Sequence, residues 1–234
     1  MTYFYIFGTK CLSIFNERSI NIYMKSRNYQ AIVETQIKDS ELVREKRLKI
    51  AKAASKLFIK KGYFNTTMRE ISKASGLTIG NLYDYITKKE DVLYLVFDVF
   101  HSMWVNKLEE EGVFKIGNPT DQFNVAIRKM LELTDVYSDM ILLMYTESKL
   151  LPKDFLKIIL EKESRLVRCF EDILVRGVEK GVFEVKDPFF VANVIVYLLS
   201  FSPLRGWNLR NRCKVEEVNE KLIELVKSYL LKFD

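Results

Sequence analysis

The sequence predicts an all-α protein, with a small helix-turn-helix domain followed by a larger helical domain. Three observations carry this. From about Glu41 onward apolar residues recur at helical spacing, and no stretch alternates apolar and polar residues as a half-buried strand would. Only 9 Gly and 4 Pro punctuate 234 residues, few for a chain built from turns and short strands. Several glycines and prolines sit where helices are expected to start or stop.

Residues 1–40 show no clear period and are expected to be an N-terminal extension. Met24, followed by Lys25, Ser26 and Arg27, offers an alternative start; a genuine arm along a nucleic acid is the other possibility. Residues 41–89 form the expected helix-turn-helix domain. In its first helix Ile50, Ala51, Ala54, Leu57 and Phe58 share one face, Lys49, Lys52, Lys56 and Lys60 lie mostly off it, and Gly62 ends it. Thr67-Met68-Arg69-Glu70 fits a capping box, with Met68, Ile71 and Ala74 expected to face inward. Gly76 stops this helix. Thr78 caps a third, short helix expected through Ile86. Residues 90–234 form the expected second domain. Lys88-Lys89-Glu90-Asp91 opens its long first helix, with Val92, Leu95, Val96, Val99 and Met103 buried, to near Gly112. Amphipathic segments follow at 120–136, 139–149, 153–180, 188–205 and 215–232, about nine helices in all. Asp187 before Pro188 reads as an N-cap with proline in the first helical position.

The net charge is +6, but Arg44 to Lys89 holds twelve Lys/Arg against three Asp/Glu, so the rest of the chain is net negative. A basic segment on a mildly acidic body suits a polyanion partner. A solvated helix face gives the same pattern, and charge alone does not separate the two. Cys11, Cys169 and Cys213 are scattered without a CxxC, which argues against a disulfide framework and a zinc site. No metal and no cofactor are expected. There is no GxSxG, no glycine-rich phosphate loop and one histidine, His101, so an enzyme is not expected. Residues 1–23 carry Glu17 and Arg18 and make a poor signal peptide. No run of ~18 apolar residues is present, so no membrane partner is expected and the cytoplasm is the expected location. A membrane-surface protein is a rival for the basic helices, but a lipid binder has no need of a glycine turn between two capped short helices.

A helix, a glycine turn and a second short helix among basic residues is the helix-turn-helix layout. Gly76 supplies the positive φ of the turn. Leu77, Leu82 and Ile86 are expected to fix the angle between the helices, leaving Thr78, Ile79, Asn81, Asp84 and Tyr85 to project outward. The run from Thr66 through Ile86, then Lys88 through Val92, resembles the N-terminal domain of the tetracycline-repressor (TetR/AcrR) family. Ala53 through Phe58 and Lys61-Gly62-Tyr63 resemble that domain's first helix. The likeness covers about residues 44–95; the rest matches only in length and helicity. It implies a ligand-responsive repressor on a palindromic operator of double-stranded DNA. Thr67 would meet a phosphate. Arg69 would reach a base edge or a phosphate. Thr78, Ile79, Asn81 and Tyr85 would line the major groove, and Tyr83 and Lys89 would touch the backbone. A packing role for Tyr83 and Tyr85 is the alternative. Ile79 and Asp84 depart from the family pattern, where polar or basic and aromatic or basic residues are common, and Ile86 replaces the usual Phe.

The resemblance also implies a small hydrophobic effector. Phe97, Phe100, Trp104, Phe123, Met144, Tyr145, Phe170 and Tyr197 are the candidate pocket residues, most of that composition being expected as plain core. A fatty acid or acyl thioester is the first expectation and a cationic drug the second. Val218, Leu222, Leu225 and Tyr229 recur at 4, 3, 4, and Ile195 and Leu198 continue a stripe from Val191. These are the expected homodimer interface, a four-helix bundle of two helices per subunit. Burial of the same stripes within one chain is the alternative.

Overall fold

The computed structural model describes residues 33–209 and 211–231; most of the expected extension, and Cys11, lie outside them. The described residues hold ten α-helices and no strand: α1 (Ser40–Lys61), α2 (Met68–Ser75), α3 (Ile79–Tyr83), α4 (Lys89–Glu110), α5 (Pro119–Val136), α6 (Ser138–Glu147), α7 (Lys153–Glu179), α8 (Pro188–Leu199), α9 (Phe201–Leu209) and α10 (Val215–Leu230). Short 3₁₀ turns follow α4, at Val113–Lys115, and α6, at Ser148–Leu150.

The chain forms two compact units. The first runs through Met103 and takes in Leu143–Leu160; the second is Trp104–Leu142 with everything from Glu161 on. The boundary therefore lies well past the residue 89 expected from sequence. The reason is that every residue from Asp91 to Phe100 is buried, so the first half of α4 is core and not a connector.

In the first unit α1 starts at Asp39, whose carboxylate accepts from the amides of Glu41 (3.0 Å) and Leu42 (3.1 Å). It buries Val43, Arg47, Ile50, Ala51, Ala54 and Phe58 and ends at Gly62, at φ 84°. The amides before α4 are met by the buried carboxylate of Asp91, which accepts from Thr87 N (2.7 Å) and Lys88 N (2.9 Å). Tyr94 stacks on Phe155, ring centroids 4.5 Å apart, and burial raises its phenol to about 12.

In the second unit α5 is capped by Asn118 with Pro119 in the first turn, and α8 by Asp187 with Pro188. Phe123 meets Phe170 and Phe183 edge-on, at 6.4 and 6.1 Å between centroids. Arg128 of α5 pairs with Glu220 of α10, and Asn219 donates to Asp135 at 2.5 Å. The expected helix over 188–205 is broken: α8 stops at Leu199 and α9 leaves it at 47°. Pro203 explains the break. It has no N–H to donate to Leu199, and its ring would collide with that carbonyl, so the chain restarts with proline in the first turn, where no donor is needed. Among the described residues no single helix is long and apolar enough to cross a membrane; the bent pair α8–α9 meets that test only when both helices are joined.

Candidate nucleic-acid interface

The expected helix-turn-helix is present, and its local chemistry explains its shape. Thr67 N donates to Glu70 Oε2 (2.8 Å) and Glu70 N to Thr67 Oγ1 (3.3 Å), closing the capping box of α2. Lys61 adds an ion pair to Glu70 at 2.5 Å, and these partners, Lys61 first, hold the Glu70 carboxyl down to about 2. Gly76 takes the left-handed conformation, φ 71°, and Leu77 N reaches back to Ser72 O at 3.1 Å. Ser72 Oγ donates to Leu77 O at 2.7 Å, tying the turn from its other side. Thr78 then caps α3, its Oγ1 accepting from Asn81 N at 3.2 Å. Leu82 is fully buried and seats α3 on its inner face.

This leaves Thr67, Arg69, Thr78, Ile79, Asn81 and Tyr83 exposed on one small domain. Ile79 and Tyr83 are exposed apolar groups, 41% and 51% accessible, on a helix of only five residues. Two expectations need correction. Tyr85 does not face outward: it is 7% accessible, because α3 ends at Tyr83, three residues early, and the turn through Asp84 swings Tyr85 and Ile86 into the core. Ala74 is exposed, not inward; α2 is held instead by Ile71 and Ser72. Lys89 is half-buried. Its ammonium lies 4.2 Å from the centre of the Tyr63 ring and 3.4 Å from Phe64 O, and burial lowers it below its ordinary value. It is therefore engaged by the α1–α2 turn and less available to a phosphate than Arg69.

The candidate pocket residues divide. Phe97, Phe100, Trp104, Phe123 and Phe170 are buried and Met144 is half-buried. Tyr145 and Tyr197 are exposed and line no interior. A cleft of about 50 Å³ in the second unit is lined by Asp135, Ser138, Ser202, Pro203, Gly206, Leu209, Cys213, Val215 and Val218, and by none of these eight. It has room for a few water molecules. The candidate dimer residues divide too. Ile195, Val218 and Leu222 are buried within the chain, which explains their spacing without a partner, and Leu198 is half-buried. Leu225 (59%) and Tyr229 (61%) face outward on α10. On α8 the outward apolar row is Phe190, Val194 and Tyr197, a face that the sequence argument missed because every position of this helix but Asn193 is apolar or proline.

Sequence reasoning also missed Arg47. The signal was available: residue 47 lies three and four positions before Ile50 and Ala51, on the inward stripe of α1, where a charged residue needs partners.

Comparisons with known proteins agree with this geometry. Residues 50–94 match the family model "Bacterial regulatory proteins, tetR family", and residues 117–204 match "Tetracyclin repressor-like, C-terminal domain". The chain is similar to the HTH-type transcriptional regulator HbdR of Aromatoleum sp. (strain CIB), 27% identical over 203 residues, 85% of this chain and 86% of that protein. Its fold is similar to that of the transcriptional regulator FadR from Bacillus subtilis, solved in complex with stearoyl-CoA. There the TM-score is 0.67 at 18% identity, over 78% of this chain and 98% of that one. It is also similar to AibR in complex with isovaleryl coenzyme A and operator DNA, with a TM-score of 0.64 at 20% identity, over 77% and 97% of the chains.

Proposed function

Because the chain belongs to the tetracycline-repressor family of DNA-binding transcriptional regulators and is not an enzyme, we propose that it is a repressor: a homodimer on a palindromic operator, released by a hydrophobic acyl effector. The observation that carries the DNA part is the exposed row Thr78, Ile79, Asn81 and Tyr83 on a short helix whose two sides are fixed by the Thr78 cap and Leu82. Asn81 suits a base edge, and Ile79 suits a thymine methyl. Arg69 suits a phosphate; Thr67, whose amide and hydroxyl both donate to the Glu70 carboxylate, would meet one only by releasing that carboxylate. Selection from a random pool of duplexes at physiological salt is expected to return an imperfect palindrome. Uniform affinity for every duplex would overturn the proposal.

The roles differ in what they do to the selected duplex. Arg69→Ala is expected to weaken all duplexes alike and to reduce the slope of log affinity against log salt by about one charge. Asn81→Ala is expected to relax preference at one base position, with ~1–3 kcal/mol of discrimination lost there and the salt slope kept. Identical behaviour of the two variants on a panel of single-base changes would reject this division.

For the effector, support comes from the helical second domain with its buried aromatic side chains, and from the two acyl-CoA complexes of similar fold. The 50 Å³ cleft is itself too small for an acyl chain, so an acyl effector would bind elsewhere among these helices or in a more open conformer, whose population it raises. Titrating acyl-CoA esters of graded chain length is expected to lower operator affinity at least tenfold at some length, and the operator should weaken acyl-CoA binding by the same factor. Release by a cationic dye but by no acyl-CoA would replace the acyl effector with a cationic one.

The dimer is assigned to α8 and α10, through Phe190, Val194 and Tyr197 and through Leu225 and Tyr229. These side chains are apolar and outward-facing in the single chain, as a surface between copies requires.

A further inference from the structure

The short segment before α1, which carries no helical signal, is fastened to the exit of α3. Arg47 of α1 is 2% accessible. Its Nε donates to Tyr85 O at 2.9 Å; one Nη donates to Val33 O at 2.6 Å and reaches Glu34 O at 3.4 Å. Beside it, Thr35 Oγ1 donates to Asp84 O at 2.6 Å and accepts from Ile37 N at 3.2 Å. Val33 is buried, so the segment is anchored by an apolar side chain as well as by these bonds.

We propose that residues 33–35 and Arg47 form a brace that sets the pose of α3 in the major groove, with Thr35 and Arg47 as positioning residues for operator recognition. The proposal rests on the DNA-binding function above. A five-residue helix cannot hold its own conformation, and its last carbonyls have no intrahelical donors. The start of α3 is fixed by Thr78 and its inner side by Leu82, but neither holds the exit. The carbonyls of Asp84 and Tyr85 mark that exit, and both accept a side-chain hydrogen bond from the brace. A guanidinium suits the task because its planar array of donors meets Val33 and Tyr85 at once. The three acceptors named for Arg47 are main-chain carbonyls, so the brace reads the path of the backbone whatever side chains α3 presents. With Arg47 buried, its effect on DNA would be indirect. Loosening the exit would misplace Asn81 and Tyr83, while Thr67, the N-cap of α2, and Arg69, on α2, keep their positions. Recognition of sequence should therefore suffer more than general affinity for DNA.

The test uses the full chain, the duplex that the wild-type protein selects from a random pool, and a scrambled duplex of equal length. Thr35→Val removes the donor at a partly exposed site and should leave the fold intact. It is expected to weaken the selected duplex about threefold to tenfold, as one lost hydrogen bond would, with the scrambled duplex and the salt slope unchanged. Thr35→Ser keeps the hydroxyl and should restore wild-type affinity. Arg47→Gln should act in the same direction and more strongly. Thr35→Val decides the matter even if Arg47→Gln unfolds. Wild-type affinity for the selected duplex, or equal losses on both duplexes, would overturn the brace. A wild-type protein that selects no sequence would instead overturn the DNA-binding function on which the brace rests, and the brace with it.

Discussion

Tyr197→Glu combined with Leu225→Glu is expected to leave a folded monomer whose operator affinity has fallen at least a hundredfold. Both side chains face outward, on α8 and α10, so neither substitution removes core packing. Glutamate is a good helix former, so neither helix loses propensity. In a dimer the two carboxylates would be carried into an apolar interface from both subunits, and stripping water from them costs several kcal/mol per interface. The large effect on DNA follows from geometry. In the proposed dimer each subunit would supply one α3, and the second would bind as an intramolecular event whose effective concentration raises avidity ~10²–10⁴-fold. Sedimentation equilibrium and an operator titration on the same samples check both halves. A dimer that survives the double substitution would move the interface off these two helices. A monomer that still binds the operator at full affinity would mean that one recognition helix suffices.

The parts of the structure that were legible in the sequence are those set by residues a few positions apart. Thr67 with Glu70, Gly76, Thr78 and Asp187-Pro188 each act within one turn of chain, and each stands in the structure in the role its type suggests. The failures have a different physical origin. Tyr85, expected outward, lies inward because a helix end depends on what the exit packs against, and here Thr35 and Arg47 hold the carbonyls of Asp84 and Tyr85 from far away in sequence. Such acceptors leave no mark on side-chain identity. The sequence shows the stripe on α10 but leaves open which of its members meet the chain itself. Val218, Leu222, Val226 and Leu230 pack inside while Leu225 and Tyr229 stand outside, and an apolar period cannot say which apolar face meets its own chain. The α8–α9 bend was within reach, since Pro203 lies inside the expected 188–205 helix and forbids its continuation.

Gly177→Ala is expected to destabilise the second unit by roughly 2–3 kcal/mol, as overpacking in a core does. The sign is the interesting part, because an alanine in a helix interior normally stabilises relative to glycine by up to ~1 kcal/mol. Gly177 lies within α7, one turn before the chain leaves it at Gly181, which has φ 69°. The amides of Val182 and Phe183 both return to Gly177 O, at 2.9 and 3.1 Å, folding the chain back on the helix. This lays the Phe183 ring where a Cβ on residue 177 would stand. The ring has little freedom to retreat. It is buried, it meets Phe123 edge-on, and Phe123 in turn meets Phe170. The next residue is held as well, Glu184 N donating to Leu230 O at 2.8 Å at the end of α10. A methyl at 177 must therefore displace Phe183 and loosen the turn that ties α7 to α10. Thermal and denaturant melts of wild type, Gly177→Ala, Phe183→Ala and the double variant test the mechanism. The two single costs should not add, because with the ring gone the methyl has room, so the double variant should be more stable than their sum predicts. A raised melting temperature for Gly177→Ala, or strict additivity, would mean that the fold-back turn yields without disturbing the aromatic core.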